Sequence, residues 1–331
     1  MATIVSLARS FGKLIPVGRE LLERNGHCVV FPSDDDLPLN ENKVVNLLRR
    51  QRADGVVVGA EPVTREILDG ADTLRIIAKH GAGLDNIDVE YATRKGVAVV
   101  YTPDANVEAV AELTLGLIFS ISRLIPCAYL SMKSGRWETF LGQEINRKVI
   151  GVLGTGKIGK AVISKLSGLN VKVVAHDLVQ DQEVSRLPYV EYVDLRKLFT
   201  ESDYLTIHVP LTSATRGLVS AEKLALMKPN SFIINTSRGE VIDEKALFDA
   251  LKQKRIAGAA IDVWQTEPPR GLSAELASLD NVIPTPHMGA YTREALYRMG
   301  HECATGIVEF FEGRKPRNLA NPEVWKDGDQ E

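Results

Sequence analysis

The chain has 331 residues, 44% of them hydrophobic and 25% charged, with 40 Lys and Arg against 43 Asp and Glu for a formal net charge of -3. That length exceeds what one hydrophobic core usually supports and predicts two domains. Charges of both signs are interspersed, which argues against a nucleic-acid-binding face or an anionic-membrane patch and leaves a small molecule as the expected partner.

The opening MATIVSLARSFGK has neither a basic region ahead of a long apolar stretch nor a small-residue cleavage site, so a cytoplasmic protein is expected. Strand-like TIVSLA, CVVFP, DGVVVGA, LRIIAKHG and VAVVYTP follow, alternating with helix-like LIPVGRELLERNG, ENKVVNLLRRQR, VTREILDGA and VEYATRKG. Such alternation predicts a doubly wound parallel sheet, an α/β domain of flavodoxin-like type. The run Asp34, Asp35, Asp36 reads as a solvated loop, because no further cation ligands can be placed beside it. Cys28, Cys127 and Cys303 are isolated, which predicts buried free thiols in a reducing compartment and argues against a disulfide framework or structural zinc; no metal is expected.

Pro103 and Asp104 open a helical pattern over 104–126 that is predicted to connect the domains. Its apolar part, Leu113 to Ser122, is bounded by Glu112 and Arg123 and falls short of the roughly 20 residues that span a bilayer, so it reads as a buried or interface helix. A second alternating series contributes KVIGVLG, VKVVAHD, YLTIHVP, SFIINTS, IAGAAIDVW and NVIPTP, six parallel strands that suit a Rossmann dinucleotide-binding domain. After them TREALYRMGHECATGIVEFFEG is helical, ends at Gly313 and is predicted to return to the first domain. The expected division is 1–103 with 293–331 for substrate and 104–292 for the dinucleotide, with a cleft between them.

Gly154-Thr155-Gly156-Lys157-Ile158-Gly159 follows a strand and opens a helix, the context in which glycines permit a tight turn, backbone approach to a pyrophosphate and close helix packing. Backbone N–H groups at the helix start then hold the anion. Asp177, after the next strand, is placed to accept hydrogen bonds from an adenosine ribose, and Leu178 and Val179 follow it in place of the basic residues a 2'-phosphate needs. NAD is therefore expected over NADP.

Arg238, Glu267 and His287 stand at the ends of three successive strand-like runs, where an open parallel sheet presents side chains to ligand. Arg238 has the planar fork that matches a carboxylate, and His287 can give a proton to a carbonyl oxygen or take one from a hydroxyl. Glu267, set against the other ring nitrogen, would fix the tautomer and favour the charged imidazole.

With these residues in place the chain resembles the D-isomer-specific 2-hydroxyacid dehydrogenases, most closely their phosphoglycerate dehydrogenase branch. Segments carrying the resemblance include KHGAGLDNIDVEYATRKGV, SMKSGRW, GVLGTGKIG, HVPLTSATRGL, INTSRGEVIDEKAL, AGAAIDVWQTEPP and TPHMGA. It implies NAD-dependent interconversion of a D-2-hydroxy acid and its 2-oxo acid, with Arg238 binding and polarising substrate, Glu267 assisting the base and His287 as acid and base. It further implies that Ala82 and Gly83 offer backbone N–H groups to the substrate carboxylate and that Asp262 contacts the nicotinamide amide. Val209, Pro210, Thr236, Ser237, Gly289 and Ala290 line the cofactor by the same resemblance, and a homodimer forms through the cofactor domain around Leu113 to Ile121. In the phosphoglycerate branch, arginines suited to a distal phosphate stand where this chain has Gly59 and Lys79; Lys79 as a point charge, or Arg136 from another loop, are the candidates to replace them. Few residues follow Asn321, so no serine-sensing domain is expected. The alternatives are a dehydrogenase for an unphosphorylated acid of the hydroxypyruvate or glyoxylate type, and a dinucleotide-sensing interaction protein.

Overall fold

A computed structural model describes residues 1–325. The chain folds as two compact units, one made of Met1–Asn106 with the segment from Ala290 onward and the other of Val107–Gly289.

In the first unit, β1 (Thr3–Ser6), β2 (Cys28–Val30), β3 (Gly55–Val58), β4 (Ile76–Lys79) and β5 (Ala98–Val100) form a parallel sheet in the order β2-β1-β3-β4-β5. Every residue of β3 and β4 is buried, which is why these strands read as unbroken apolar runs instead of alternating ones. Val44, Leu47, Leu48, Ile67 and Leu68, from helices Glu41–Arg50 and Arg65–Gly70, build one hydrophobic cluster with this sheet. Leu22 from helix Val17–Arg24 and Cys303, Ala304 and Ile307 from helix Arg293–Phe311 build the other. Burying each such aliphatic side chain stabilises by about 1.5–3 kcal/mol. Asn40, Thr64 and Thr292 start three of the helices by accepting a backbone N–H with their side chains.

The second unit has β6 (Val149–Leu153), β7 (Lys172–His176), β8 (Val190–Tyr192), β9 (Tyr204–Ile207), β10 (Phe232–Asn235), β11 (Gly258–Ile261) and β12 (Val282–Pro284), parallel and ordered β12-β11-β10-β9-β6-β7-β8. Val162 and Ile163 of helix Lys157–Leu166 join Leu117 and Ile118 in one cluster; Leu198, Phe199, Leu247 and Leu251 join the other. β8 is a strand beyond the six expected. It has three residues at the sheet edge and pairs only with β7, too short a run for periodicity to reveal.

Three further expectations are corrected. The helix expected over 104–126 runs from Val107 to Ser122 and stops at Leu124, whose φ of 53° is left-handed; a second helix, Ile125–Lys133, leaves at 68°. Pro126 explains the break, since it lacks an N–H and its ring obstructs a continuing helix. Asp36 is not solvated: its carboxylate accepts from Ser33 N at 2.8 Å and Ser33 Oγ at 2.7 Å and meets Arg50 at 3.1 Å, while Asp34 and Asp35 are exposed. Cys28 is exposed, because it begins an edge strand, and Cys127 is partly so; Cys303 alone of the three is buried. The Leu113–Ser122 segment, expected to be a buried or interface helix, turns Leu117, Ile118 and Ile121 into the core of its own unit. Among the described residues no single helix is long and apolar enough to cross a membrane.

Candidate active site

β12, β11 and β10 are neighbours in one parallel sheet, so their carboxyl ends bring Thr285–Gly289, Asp262–Glu267 and Thr236–Arg238 to one edge. Local hydrogen bonds shape each loop. Asn235, only 1% exposed, donates through Nδ2 to Arg238 O at 2.9 Å and accepts from Ser237 N and Oγ, both at 3.0 Å. The turn lies directly on the next loop: a Cβ on Gly239 would sit 2.2 Å from the carbonyl carbon of Trp264. Trp264 in turn donates its backbone N–H to Glu267 Oε1 at 3.0 Å and its indole N–H to Thr285 O at 3.0 Å.

His287 is held in a left-handed backbone conformation, with φ of 53°. For a residue with a Cβ this costs about 1–2 kcal/mol. Asp262, 1% exposed, over-determines it: its carbonyl accepts His287 N at 2.8 Å, Oδ1 accepts Thr285 Oγ1 at 2.6 Å and Met288 N at 2.9 Å, and Oδ2 accepts Gly289 N at 2.9 Å. Hydrogen bonds to a charged group contribute about 1.5–3 kcal/mol each, so the loop is held firmly.

This scaffolding brings His287 Nδ1 to 2.7 Å from Glu267 Oε2, with 41% and 30% of the two side chains exposed. Burial alone would raise the Glu267 carboxyl, but the His287 hydrogen bond and charge, the Trp264 N–H and the Arg238 charge outweigh it and hold the group below its ordinary range. Glu267 is therefore the charged acceptor that takes up Nδ1, and Nε2 is the ring nitrogen outside this pair. Arg238 donates through Nη1 to Ser237 O at 2.7 Å.

The glycine loop lies at the point where the strand order of this sheet reverses, between β6 and β9. Gly154 has φ of 95°, and a Cβ there would lie 2.8 Å from the His208 carbonyl carbon; one on Gly159 would lie 2.0 Å from Gly154 O. Gly156 differs, since a Cβ there meets nothing within 4 Å. Two glycines are thus required by packing, whereas Gly156, the N-cap of the helix that begins at Lys157, has no side chain and leaves open the approach a pyrophosphate needs. Asp177 Oδ2 accepts Thr155 N at 2.6 Å and Thr155 Oγ1 at 3.2 Å, while Oδ1 faces Val179 N at 3.4 Å. These residues fit a dinucleotide with a free 2'-hydroxyl. Val209 Cγ1 lies 2.9 Å from the Gly154 Cβ position, the Pro210 carbonyl accepts Thr215 Oγ1 at 2.6 Å, and Thr236 Oγ1 is 3.0 Å from Thr114 Oγ1.

In the first unit Lys79 is 6% exposed, and its ammonium donates to the Gly59 carbonyl and to Asn86 Oδ1. It braces the fold, which weighs against its serving as a point charge for phosphate. Arg136, the other candidate, pairs with Glu138 at 3.3 Å at the surface of the second unit. The N–H groups of Ala82 and Gly83, in the loop after β4, donate to no group among the described residues. Sequence reasoning missed Asn235 and Trp264 as supports, and read Asp262 only as a cofactor contact. Their roles depend on backbone turns that residue type alone does not specify.

Residues 115–289 match the family model for the NAD binding domain of D-isomer specific 2-hydroxyacid dehydrogenases. The chain is 43% identical over 269 residues to D-3-phosphoglycerate dehydrogenase of Methanocaldococcus jannaschii, covering 80% of this chain and 51% of that protein. It is 43% identical over 257 residues to hydroxypyruvate reductase of Thermotoga maritima, covering 77% and 83%. A solved D-lactate dehydrogenase from Aquifex aeolicus, complexed with NAD and lactic acid, superposes with a TM-score of 0.82 at 27% identity over 96% of this chain and 99% of that one. The chain spans about half the length of the phosphoglycerate dehydrogenases it matches, 51% and 57% in two of them.

Proposed function

Because the chain belongs to the D-isomer specific 2-hydroxyacid dehydrogenase family, we propose that it interconverts a D-2-hydroxy acid and its 2-oxo acid with NAD. The observation that carries this is the 2.7 Å pairing of His287 with Glu267, on the same sheet edge as Arg238 and in the unit that holds the glycine loop. Bound NAD supplies the hydride acceptor, and NADH the donor in reverse. Gly154, Gly156, Lys157, Ile158 and Gly159 hold the pyrophosphate and Asp177 the ribose, while Val209, Pro210, Thr236, Ser237, Asp262, Gly289 and Ala290 line the remainder.

Arg238 binds the substrate carboxylate by charge-assisted hydrogen bonds and polarises the carbonyl. In the first unit, Ala82 and Gly83 offer backbone N–H donors suited to a carboxylate. In oxidation His287 Nε2 removes the hydroxyl proton as hydride leaves C2; in reduction the imidazolium returns that proton to the carbonyl oxygen. Glu267 accepts Nδ1–H throughout, fixing the tautomer and stabilising the imidazolium. Asp177 excludes a 2'-phosphate by charge, which favours NAD over NADP.

An unphosphorylated substrate is favoured within this class by Lys79, whose ammonium is bound to Gly59 O and Asn86. A homodimer belongs to the same proposal. Its support is an apolar surface on helix Ile125–Lys133 and beyond, where Tyr129, Leu130, Met132, Trp137 and Leu141 are between 55% and 98% exposed. That surface lies just after the helix the sequence pointed to, and sedimentation equilibrium reads it. A cytoplasmic location is proposed from the free thiols. The test is incubation with NADH and a series of 2-oxo acids, followed by chiral chromatography. A D-2-hydroxy acid is expected; an L product, or none from any acid, contradicts the reading.

A further inference from the structure

Taking the dehydrogenase reading as given, we propose that Glu61 selects the substrate by its far end: the acid carries an uncharged hydrogen-bond donor such as a hydroxyl at its distal carbon, and a distal phosphate is rejected. The strand order of the first unit reverses between β1 and β3, and the loops beyond such a reversal form the crevice where open α/β sheets bind ligand. Those loops here begin at Leu7 and at Gly59. They touch, since the Cβ position of Gly59 lies 3.6 Å from Ala8 Cβ.

Gly59 N donates to Glu61 Oε2 at 2.7 Å, which folds the carboxylate back over the end of β3. The loop is then fixed to the one carrying Ala82 and Gly83. Asn86 Nδ2 donates to Glu61 O at 2.6 Å and Gly59 O at 3.2 Å, Val63 N donates to Asn86 O at 2.8 Å, and Asp88 N donates to Val63 O at 3.0 Å. Lys79 adds its ammonium to Gly59 O and Asn86 Oδ1 from below, and it is 6% exposed. The lysine charge is thus turned inward while the partly exposed Glu61 carboxylate holds the outer side of the loop. A phosphate brought against Glu61 would meet a like charge. A hydroxyl can donate to the same carboxylate.

The experiment compares kcat/KM of the full chain for NADH-dependent reduction of hydroxypyruvate and of 3-phosphohydroxypyruvate, in the wild type and in Glu61→Gln. Gln keeps an oxygen for Gly59 N, so the loop retains its hydrogen bond. The wild type is expected to favour the hydroxyl acid at least a hundredfold. Glu61→Gln is expected to narrow that ratio at least tenfold, chiefly through a lower KM for the phosphorylated acid. A wild type that favours the phosphorylated acid, or a ratio that Glu61→Gln leaves unchanged while both acids are reduced, overturns the role of Glu61 but leaves the dehydrogenase standing. Failure to reduce either of these acids or any other 2-oxo acid removes the dehydrogenase and the role of Glu61 together.

Discussion

The two sheets present different kinds of edge. In the second unit Arg238 and Glu267 are set by bonds within their own short loops, Asn235 turning the chain at Arg238 and Trp264 N donating to Glu267, while His287 is set from the adjacent loop, where Asp262 accepts the backbone N–H groups of Met288 and Gly289. In the first unit the groups are set by bonds between distant loops, Lys79 to Gly59, Asn86 to Glu61 and Ser10 Oγ to His80 Nδ1 at 3.3 Å. An edge built from local turns can keep one chemistry while its surroundings change. One built from tertiary pairing alters whenever either partner does.

The comparison can be broken most severely at Gly239. A methyl there would press on backbone, 2.2 Å from Trp264 C and 2.4 Å from Gln265 N, with no flexible side chain to yield. Gly239→Ala is expected to lower stability by about 3 kcal/mol and to separate Arg238 from Glu267. Urea denaturation measures the first; loss of turnover at saturating substrate measures the second.

In the first unit the expected effect is smaller and depends on pH. Burial, with the Lys79 charge second, depresses the His80 imidazole from 6.5 to about 4. As pH falls, the unfolded chain takes up this proton first, so the stability is fully present above pH 6.5 and is lost as pH falls toward 4. Between about pH 7.5 and about pH 5 the loss from His80 amounts to roughly 2 kcal/mol. His208, lowered by burial to about 3, acts in the same direction. Denaturation at the two pH values should show a smaller difference in His80→Gln than in the wild type; an equal difference would place the titration elsewhere.

The smallest effect sharpens the comparison at Gly156, where an added Cβ meets nothing within 4 Å. Gly156→Ala should leave the denaturation midpoint unchanged and weaken NADH about tenfold, about 1.4 kcal/mol. A shifted midpoint with unchanged NADH affinity would make Gly156 a packing glycine like its neighbours.

The contrast between the edges also explains what could be read from the chain. The five strands of the first unit and six of the second were legible because their runs are apolar, the central ones buried throughout; β8 was not, being the three residues Val190–Tyr192 with a glutamate at their centre. Arg238, Glu267 and His287 were legible as residues of the right chemistry at strand ends. Lys79 was read as a charge for substrate, and only tertiary structure shows its ammonium turned onto Gly59 O and Asn86. Glu61 carried no signal at all, because its placement depends on the N–H of Gly59 and the side chain of Asn86. Leu124 and Pro126 broke a helix that periodicity alone would have continued.

The central claim is that His287, held by Glu267, moves the proton while separate groups hold the cofactor. It is tested most directly by measuring NADH affinity and turnover together in His287→Ala. The account predicts unchanged affinity with turnover lower by about 10²–10⁴-fold. Retained turnover, or a loss of NADH affinity that matches the loss of turnover, would contradict it.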